Sequence, residues 1–125
     1  LVLSRDPTAL LCDHIRMRVD REDEQVLLAA EIFRLLADPT RVHLLHALSG
    51  GELSVNGLAE SVGRRNGQVS QHLAKLRLAR LVTTRRQGNQ VLYRVVNEHV
   101  SQLVEDVLDH VEHLGPGIPT HHQDD

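Results

Sequence analysis

The sequence predicts a mainly α-helical domain with one small β-hairpin, a winged helix-turn-helix. Three observations carry that expectation. Apolar residues recur at helical spacing along most of the chain, two β-branched stretches flank Gln87-Gly88-Asn89, and a basic block lies inside an otherwise acidic sequence. The chain has 125 residues, 41% apolar and 25% charged, which suits one soluble domain and is too short for two. Apolar runs such as Val26-Leu27-Leu28-Ala29-Ala30 fall far short of the ~20 residues of a membrane span. No basic stretch followed by an apolar one opens the chain, so neither membrane insertion nor secretion is expected. The single cysteine, Cys12, excludes an internal disulfide and a thiolate cluster, and a reducing cytoplasm is the expected location.

Taken in order, residues 1–23 read as an N-terminal arm or helix, 24–114 as the winged helix-turn-helix with its C-terminal dimerisation helix, and 115–125 as a histidine-containing tail. Between Glu24 and Ala37, Val26, Ala30, Phe33 and Ala37 repeat at helical spacing, and Leu27, Leu28, Leu35 and Leu36 widen the stripe. A helix apolar on more than one side is expected in the core. Asp38-Pro39-Thr40 supplies an N-cap acceptor and a proline at the first helical position, and the helix so begun carries Val42, Leu45 and Leu48 to a stop at Gly50-Gly51. His43 and His46 on it read as surface or partly packed side chains.

Val55, Leu58, Ala59 and Val62 then repeat at i, i+3, i+4, i+7 and end at Gly63, and Val69, Leu73 and Leu76 set the buried face of the next helix. A helix-turn-helix follows from that spacing. With Leu73 at the centre of the buried face, Gln68, Gln71 and Lys75 turn to the opposite side and Ser70 and Ala74 to the shoulder. Glutamine can bond an adenine edge twice, lysine reaches guanine or phosphate, and small residues such as Gly67 and Ala74 let a helix sink into the major groove.

The stretches Leu81–Arg86 and Gln90–Val95 read as a hairpin directly after this helix, a wing with Arg85, Arg86 and Gln90 near its tip, placed for phosphate or minor-groove contact. The charge distribution agrees. Net charge is −3, yet between Gly57 and Val96 eight basic residues (Arg64, Arg65, Lys75, Arg77, Arg80, Arg85, Arg86 and Arg94) face Glu60 alone, a local +7. A basic block of this kind is the footprint of a polyanion-facing surface. With Phe33 and Tyr93 the only aromatics, base stacking on single strands is disfavoured, and double-stranded operator DNA is the expected partner.

Asn97 caps a last helix that runs to about Leu114, where Gly115-Pro116-Gly117 stops it. Its stripe Val100, Leu103, Val104, Val107, Leu108, Val111 is purely aliphatic and is expected to pair with its copy in a second chain. On the helical wheel His99, His110 and His113 fall at about 0°, 20° and −40°, with Asp106 at about −20°, all on one edge of that stripe. Eleven residues separate His99 from His110 by about 16 Å, so one helix cannot bring both to one ion, whereas an antiparallel partner helix can. His121 and His122 add two imidazoles on the tail, able to fold over such a site. Crossing two copies in this way gives two symmetric sites of nitrogen and oxygen ligands. His110-Val111-Glu112-His113 lacks the i,i+4 histidine pair of zinc hydrolases, so no enzyme is expected.

Leu36-Ala37-Asp38-Pro39-Thr40-Arg41-Val42, Leu58-Ala59-Glu60, Val69-Ser70-Gln71-His72-Leu73 with Leu76-Arg77, and Gly88 leading to Tyr93-Arg94 resemble the signature of the ArsR/SmtB winged-helix metal-responsive repressors over residues 24 to 113. The resemblance implies a homodimer formed through the N- and C-terminal helices, whose recognition helix carries Ser70 and Gln71 and whose metal-free form represses transcription. The family's sensor pattern on the C-terminal helix maps onto Asn97, His99, His110 and His113, with Asn97 in place of the usual Asp. The ending from Glu112-His113 to His121-His122 looks more like the nickel/cobalt-sensing actinobacterial members, which implies His99, Glu112, His113, His121 and His122 as ligands of six-coordinate Ni(II) or Co(II). A dimeric DNA-binding regulator of the same family that answers a non-metal signal is the alternative. Cys12 and His14 are further donors near the N-terminus with no assigned site.

Overall fold

Pro39 opens a helix because Asp38 stands before it. The Asp38 backbone is extended (φ −140°, ψ 123°) and its side chain accepts the Arg41 N–H at 3.1 Å, satisfying one orphan donor of the first turn. The computed structural model describes residues 7–116, with side chains described from residue 20 onward. Five helices and one hairpin lie among the described residues: α1 Pro7–Leu36, α2 Pro39–Leu48, α3 Val55–Val62, α4 Asn66–Leu78, β1 Val82–Gln87, β2 Gln90–Val95 and α5 Glu98–Leu114. Two units divide at Leu36/Ala37.

The first unit is α1. Nothing between Thr8 and Leu36 is glycine or proline, so the expected arm and the expected helix over 24–37 are one uninterrupted helix of 30 residues. One expectation is corrected here. Val26, Leu27, Leu28 and Phe33 are 65%, 68%, 60% and 57% exposed, so this stretch is an apolar surface of the single chain and not part of its core. The core is completed by other residues.

That core belongs to the second unit. Leu44 and Leu45 of α2, Leu58 of α3, and Val69, Leu73 and Leu76 of α4 are fully buried, which places the helix-turn-helix in the core of the described residues. Ser54 caps α3 by accepting the Gly57 N–H at 3.1 Å, and Gly63 ends it in a left-handed turn (φ 67°, ψ 38°) whose N–H returns to the Ala59 carbonyl at 2.9 Å. At the end of α4 the Leu81 N–H reaches the Leu76 carbonyl and the Arg80 N–H the Arg77 carbonyl, both at 2.9 Å. This is a Schellman closure, with the apolar pair Leu76 and Leu81 buried beneath it and Arg80 at the left-handed position (φ 62°).

The hairpin pairs antiparallel from Val82 opposite Val95 to Gln87 opposite Gln90. Gly88-Asn89 forms the two-residue loop, with φ 63° at Gly88 and no positive φ at Asn89, the pattern of a type II′ turn. Leu53, just before α3, adds a third pairing that the sequence does not announce: its N–H and carbonyl both bond Tyr93, at 3.2 and 2.8 Å. After the wing, Asn97 accepts the Val100 N–H at 3.2 Å and α5 begins. Helix α5 packs against α2 and β2, yet Val104 is its only buried residue, and Val107 and Val111 are each 51% exposed.

Candidate nucleic-acid interface and effector helix

Helix α4 presents two opposed faces. Val69, Leu73 and Leu76 fix the buried one, and the geometry of 100° per residue then leaves Gln68, Gln71 and Lys75 on the other, all exposed, with Ser70 exposed on the shoulder. Gly67 and Ala74 are exposed beside them and keep the face low. The helix is positioned from α2: Arg41 Nε donates to His72 Nδ1 at 3.1 Å, across 31 residues of sequence. From α3, the Asn66 side-chain amide donates to the Asn56 side-chain oxygen, joining the two helices at their turn.

Arg64 and Arg65 occupy the turn that leads into α4 and are exposed. Arg86 and Gln90 are exposed near the tip of the wing, one on each strand. Arg85 is placed differently from its neighbours. Its Nε donates to both carboxylate oxygens of Glu52, at 2.8 and 2.7 Å, and the guanidinium reaches Gln87 Oε1 at 3.5 Å. The Arg85 hydrogen bonds hold the Glu52 carboxyl below the usual carboxylate range, and the carboxylate in turn raises Arg85 further. Arg85 therefore braces the wing against the segment before α3.

His99, His110, Glu112 and His113 are all exposed on α5. The helix stays regular to Leu114 and ends where the Gly115 N–H bonds the Glu112 carbonyl at 3.1 Å. Glu112 thus keeps its helical position, at about 220° on the wheel, away from the line of His99, His110 and His113. Asn97 uses its carboxamide oxygen for the cap, and Asp106 accepts a hydrogen bond from Gln102 at 2.7 Å. Among the described residues of this single chain, no three His, Cys, Asp or Glu side chains converge on one point. The donor types and their exposure suit a borderline divalent ion, provided a second chain supplies part of the set. His121 and His122 lie outside the described residues, as do the side chains of Cys12 and His14.

Two functional-looking contacts escape sequence reading because each joins residues far apart in the chain. His46, read as a surface or partly packed residue, bonds Glu105 of α5 (Nδ1 to Oε2, 2.7 Å), a side-chain link between α5 and α2. Glu52 on Arg85 is the other. No local spacing signals either one.

An exposed polar helix face set on a packed helix-turn-helix, followed by a basic hairpin, defines a winged helix-turn-helix DNA-binding module. The model of the bacterial regulatory protein arsR family matches residues 38–84. A transcriptional regulator of Mycobacterium tuberculosis, KmtR, is 59% identical over 101 residues, 81% of this chain and 78% of KmtR. A homologue of the cadmium-resistance regulatory protein CadC from Staphylococcus aureus is 33% identical over 96 residues, 76% of this chain and 79% of its own. Among solved structures, the homodimeric winged helix-turn-helix DNA-binding domain of Mb0332 from Mycobacterium bovis, a possible ArsR-family regulator, superposes with a TM-score of 0.69 at 30% identity, covering 82% of this chain and 95% of that one. The chain belongs to the ArsR family of bacterial transcriptional regulators, and it is not an enzyme. None of its described helices is long and apolar enough to cross a membrane.

Proposed function

We propose that this chain is a homodimeric repressor that releases operator DNA when Ni(II) or Co(II), or in second place Zn(II), binds at its C-terminal helices. The observation that carries the reading is the exposed line of His99, His110 and His113 along the edge of an α5 whose aliphatic face is left half-exposed at Val107 and Val111. Pairing two copies of α5 antiparallel covers that face and brings His99 of each chain toward the other chain's His110 and His113. These three would hold the metal, with His121, His122 and Glu112 as further donors implied by the resemblance to the nickel/cobalt sensors. An ion held by these residues would supply a link between the two protomers through their nitrogen and oxygen donors. Likeness to a cadmium-resistance regulator supports a metal signal.

On the DNA side Gln68, Gln71 and Lys75 read the major groove with Ser70 at its edge, Arg64 and Arg65 grip phosphate before α4, and Arg86 and Gln90 extend the contact at the wing. Arg85 joins them only by giving up Glu52. Repression requires the two recognition helices to meet half-sites about 34 Å apart, one turn of DNA. A dimer arrangement favoured by metal that disturbs that spacing weakens the operator, and operator DNA must then weaken metal binding by the same factor. A coupling of about 1–3 kcal/mol changes affinity ~5- to 150-fold, enough to switch a promoter.

Cobalt(II) titration of the reduced full-length chain, followed by visible absorption, tests the site. Saturable weak bands support the six-coordinate nickel/cobalt reading, and intense bands near 600 nm support a tetrahedral zinc-type site. Absence of saturable binding, or metal-dependent DNA release that survives the triple change His99→Ala, His110→Ala, His113→Ala, sinks the metal-sensor reading and leaves a family regulator with another signal.

A further inference from the structure

We propose that Arg77 and Arg80, together with Leu78 and Tyr93, form a second sugar-phosphate site of the DNA interface, at the far end of the recognition helix from Arg64 and Arg65. The inference rests on the DNA-binding reading and extends it to residues outside the reading face and the wing tip.

Three observations converge. The first is conformational. Arg80 holds φ 62°, the only positive φ at a non-glycine residue among the described ones, in the position of a helix-ending turn where glycine sits without strain. An arginine held there against its backbone preference points to a use for its side chain. The second is electrostatic. Arg34 is paired with Glu31 and Arg85 with Glu52, whereas Arg77 and Arg80 make no ion pair or side-chain hydrogen bond among the described residues. Both guanidiniums are open to an external anion. The third is shape. Arg77, Arg80, Ala74, Leu78 and Tyr93 line one open, shallow groove between the end of α4 and β2, and Leu78 is 85% exposed within it. Two free cations beside an aliphatic and an aromatic side chain match a deoxyribose-phosphate unit, which offers charged oxygens next to an apolar sugar edge.

Helix length places this groove. The 13 residues of α4 span about 20 Å, and the major groove that receives a recognition helix is about 12 Å wide. A recognition helix that enters the groove by its N-terminal part and is longer than the groove is wide leaves its C-terminal end outside, beside the sugar-phosphate backbone. Arg64 and Arg65 stand at one end and Arg77 and Arg80 at the other, with a single acidic residue, Glu60, in the basic block.

The test is a salt titration of full-length protein binding to a random-sequence duplex of about 30 base pairs, where phosphate contacts dominate affinity. Arg80→Gly removes the charge and the strain together. The expected result is a protein that unfolds at a higher temperature yet binds the duplex several-fold more weakly, with a log-log salt slope shallower by about 0.9 for each phosphate no longer neutralised. Arg77→Gln is expected to lower the slope equally without the thermal gain, and Arg34→Gln, the same charge change on α1, to leave it as in the wild type. An Arg80→Gly slope and affinity equal to those of Arg34→Gln overturn the site. If the wild type itself shows no salt-dependent duplex binding, the DNA reading fails, and this site with it.

Discussion

Gly63 and Arg80 make the same left-handed turn, at φ 67° and 62°, with different consequences for substitution. No heavy atom beyond its immediate neighbours lies within 4 Å of a Cβ built on Gly63, so Gly63→Ala meets no clash and its cost is conformational, about 1–2 kcal/mol. Chemical denaturation should find that loss, and should find none of it at Arg80, where glycine is the relaxed residue. At Glu52 the prediction concerns pH. The folded state lowers its carboxyl pKa through the Arg85 hydrogen bonds, so its contribution to stability is present above the unfolded carboxylate pKa and is lost as pH falls through the folded value. Melting temperatures of the wild type and Glu52→Gln should therefore differ most near neutral pH and converge in acid. A gap that stays constant down to low pH would show that the ion pair is not its source. Neither Glu52 nor Arg80 is legible from local sequence: one depends on a contact across 33 residues, and the other is an arginine where turn chemistry calls for glycine.

At the scale of elements, caps and periodicity were legible nearly to the residue. Asp38 with Pro39, Asn97, the Gly63 stop and the Gly88-Asn89 turn each act through atoms within four residues, and such short-range chemistry survives in sequence. The placement of the 24–37 helix was not legible. An apolar stripe announces that something covers it and does not say whether the cover is the same chain. Two predictions belong here. Leu73, fully buried at the centre of α4, should lose about 2–5 kcal/mol of stability on change to alanine, a large part of what a small domain has, read by urea denaturation. Asn97→Ala should lose about 1 kcal/mol by uncapping α5, while Asn97→Asp keeps the cap and adds a charge favourable to the helix N-terminus. Because its oxygen is committed to Val100 N–H, neither change should alter the stoichiometry of cobalt binding. A missing equivalent in Asn97→Ala would make Asn97 a ligand.

For the whole molecule, the exposed residues of α1 and α5 set the expectation. Val26, Leu27, Leu28 and Phe33 on one helix and Val107, Val111 and Leu114 on the other are more than half exposed in the single chain, apolar side chains of the kind that a second copy would cover. We expect sedimentation to give a dimer whose melting temperature rises with protein concentration, and Val111→Glu to shift it toward monomer and weaken DNA binding together. A Val111→Glu protein that stays dimeric would remove α5 from the interface. The line of His99, His110 and His113 and the need for a second copy to bring them together were legible as helical spacing, whereas the contacts that a second chain would make are not written in the spacing of one chain. The Leu53–Tyr93 bridge carries a mechanical consequence. It ties the hairpin to the segment before α3, and Glu52 on Arg85 adds a second fastening one residue away, so the wing and the helix-turn-helix are joined through backbone as well as side chain. In the proposed dimer such a body would work like one jaw of a caliper, fitting DNA or missing it as a unit, with any adjustment to half-site spacing made between the two jaws.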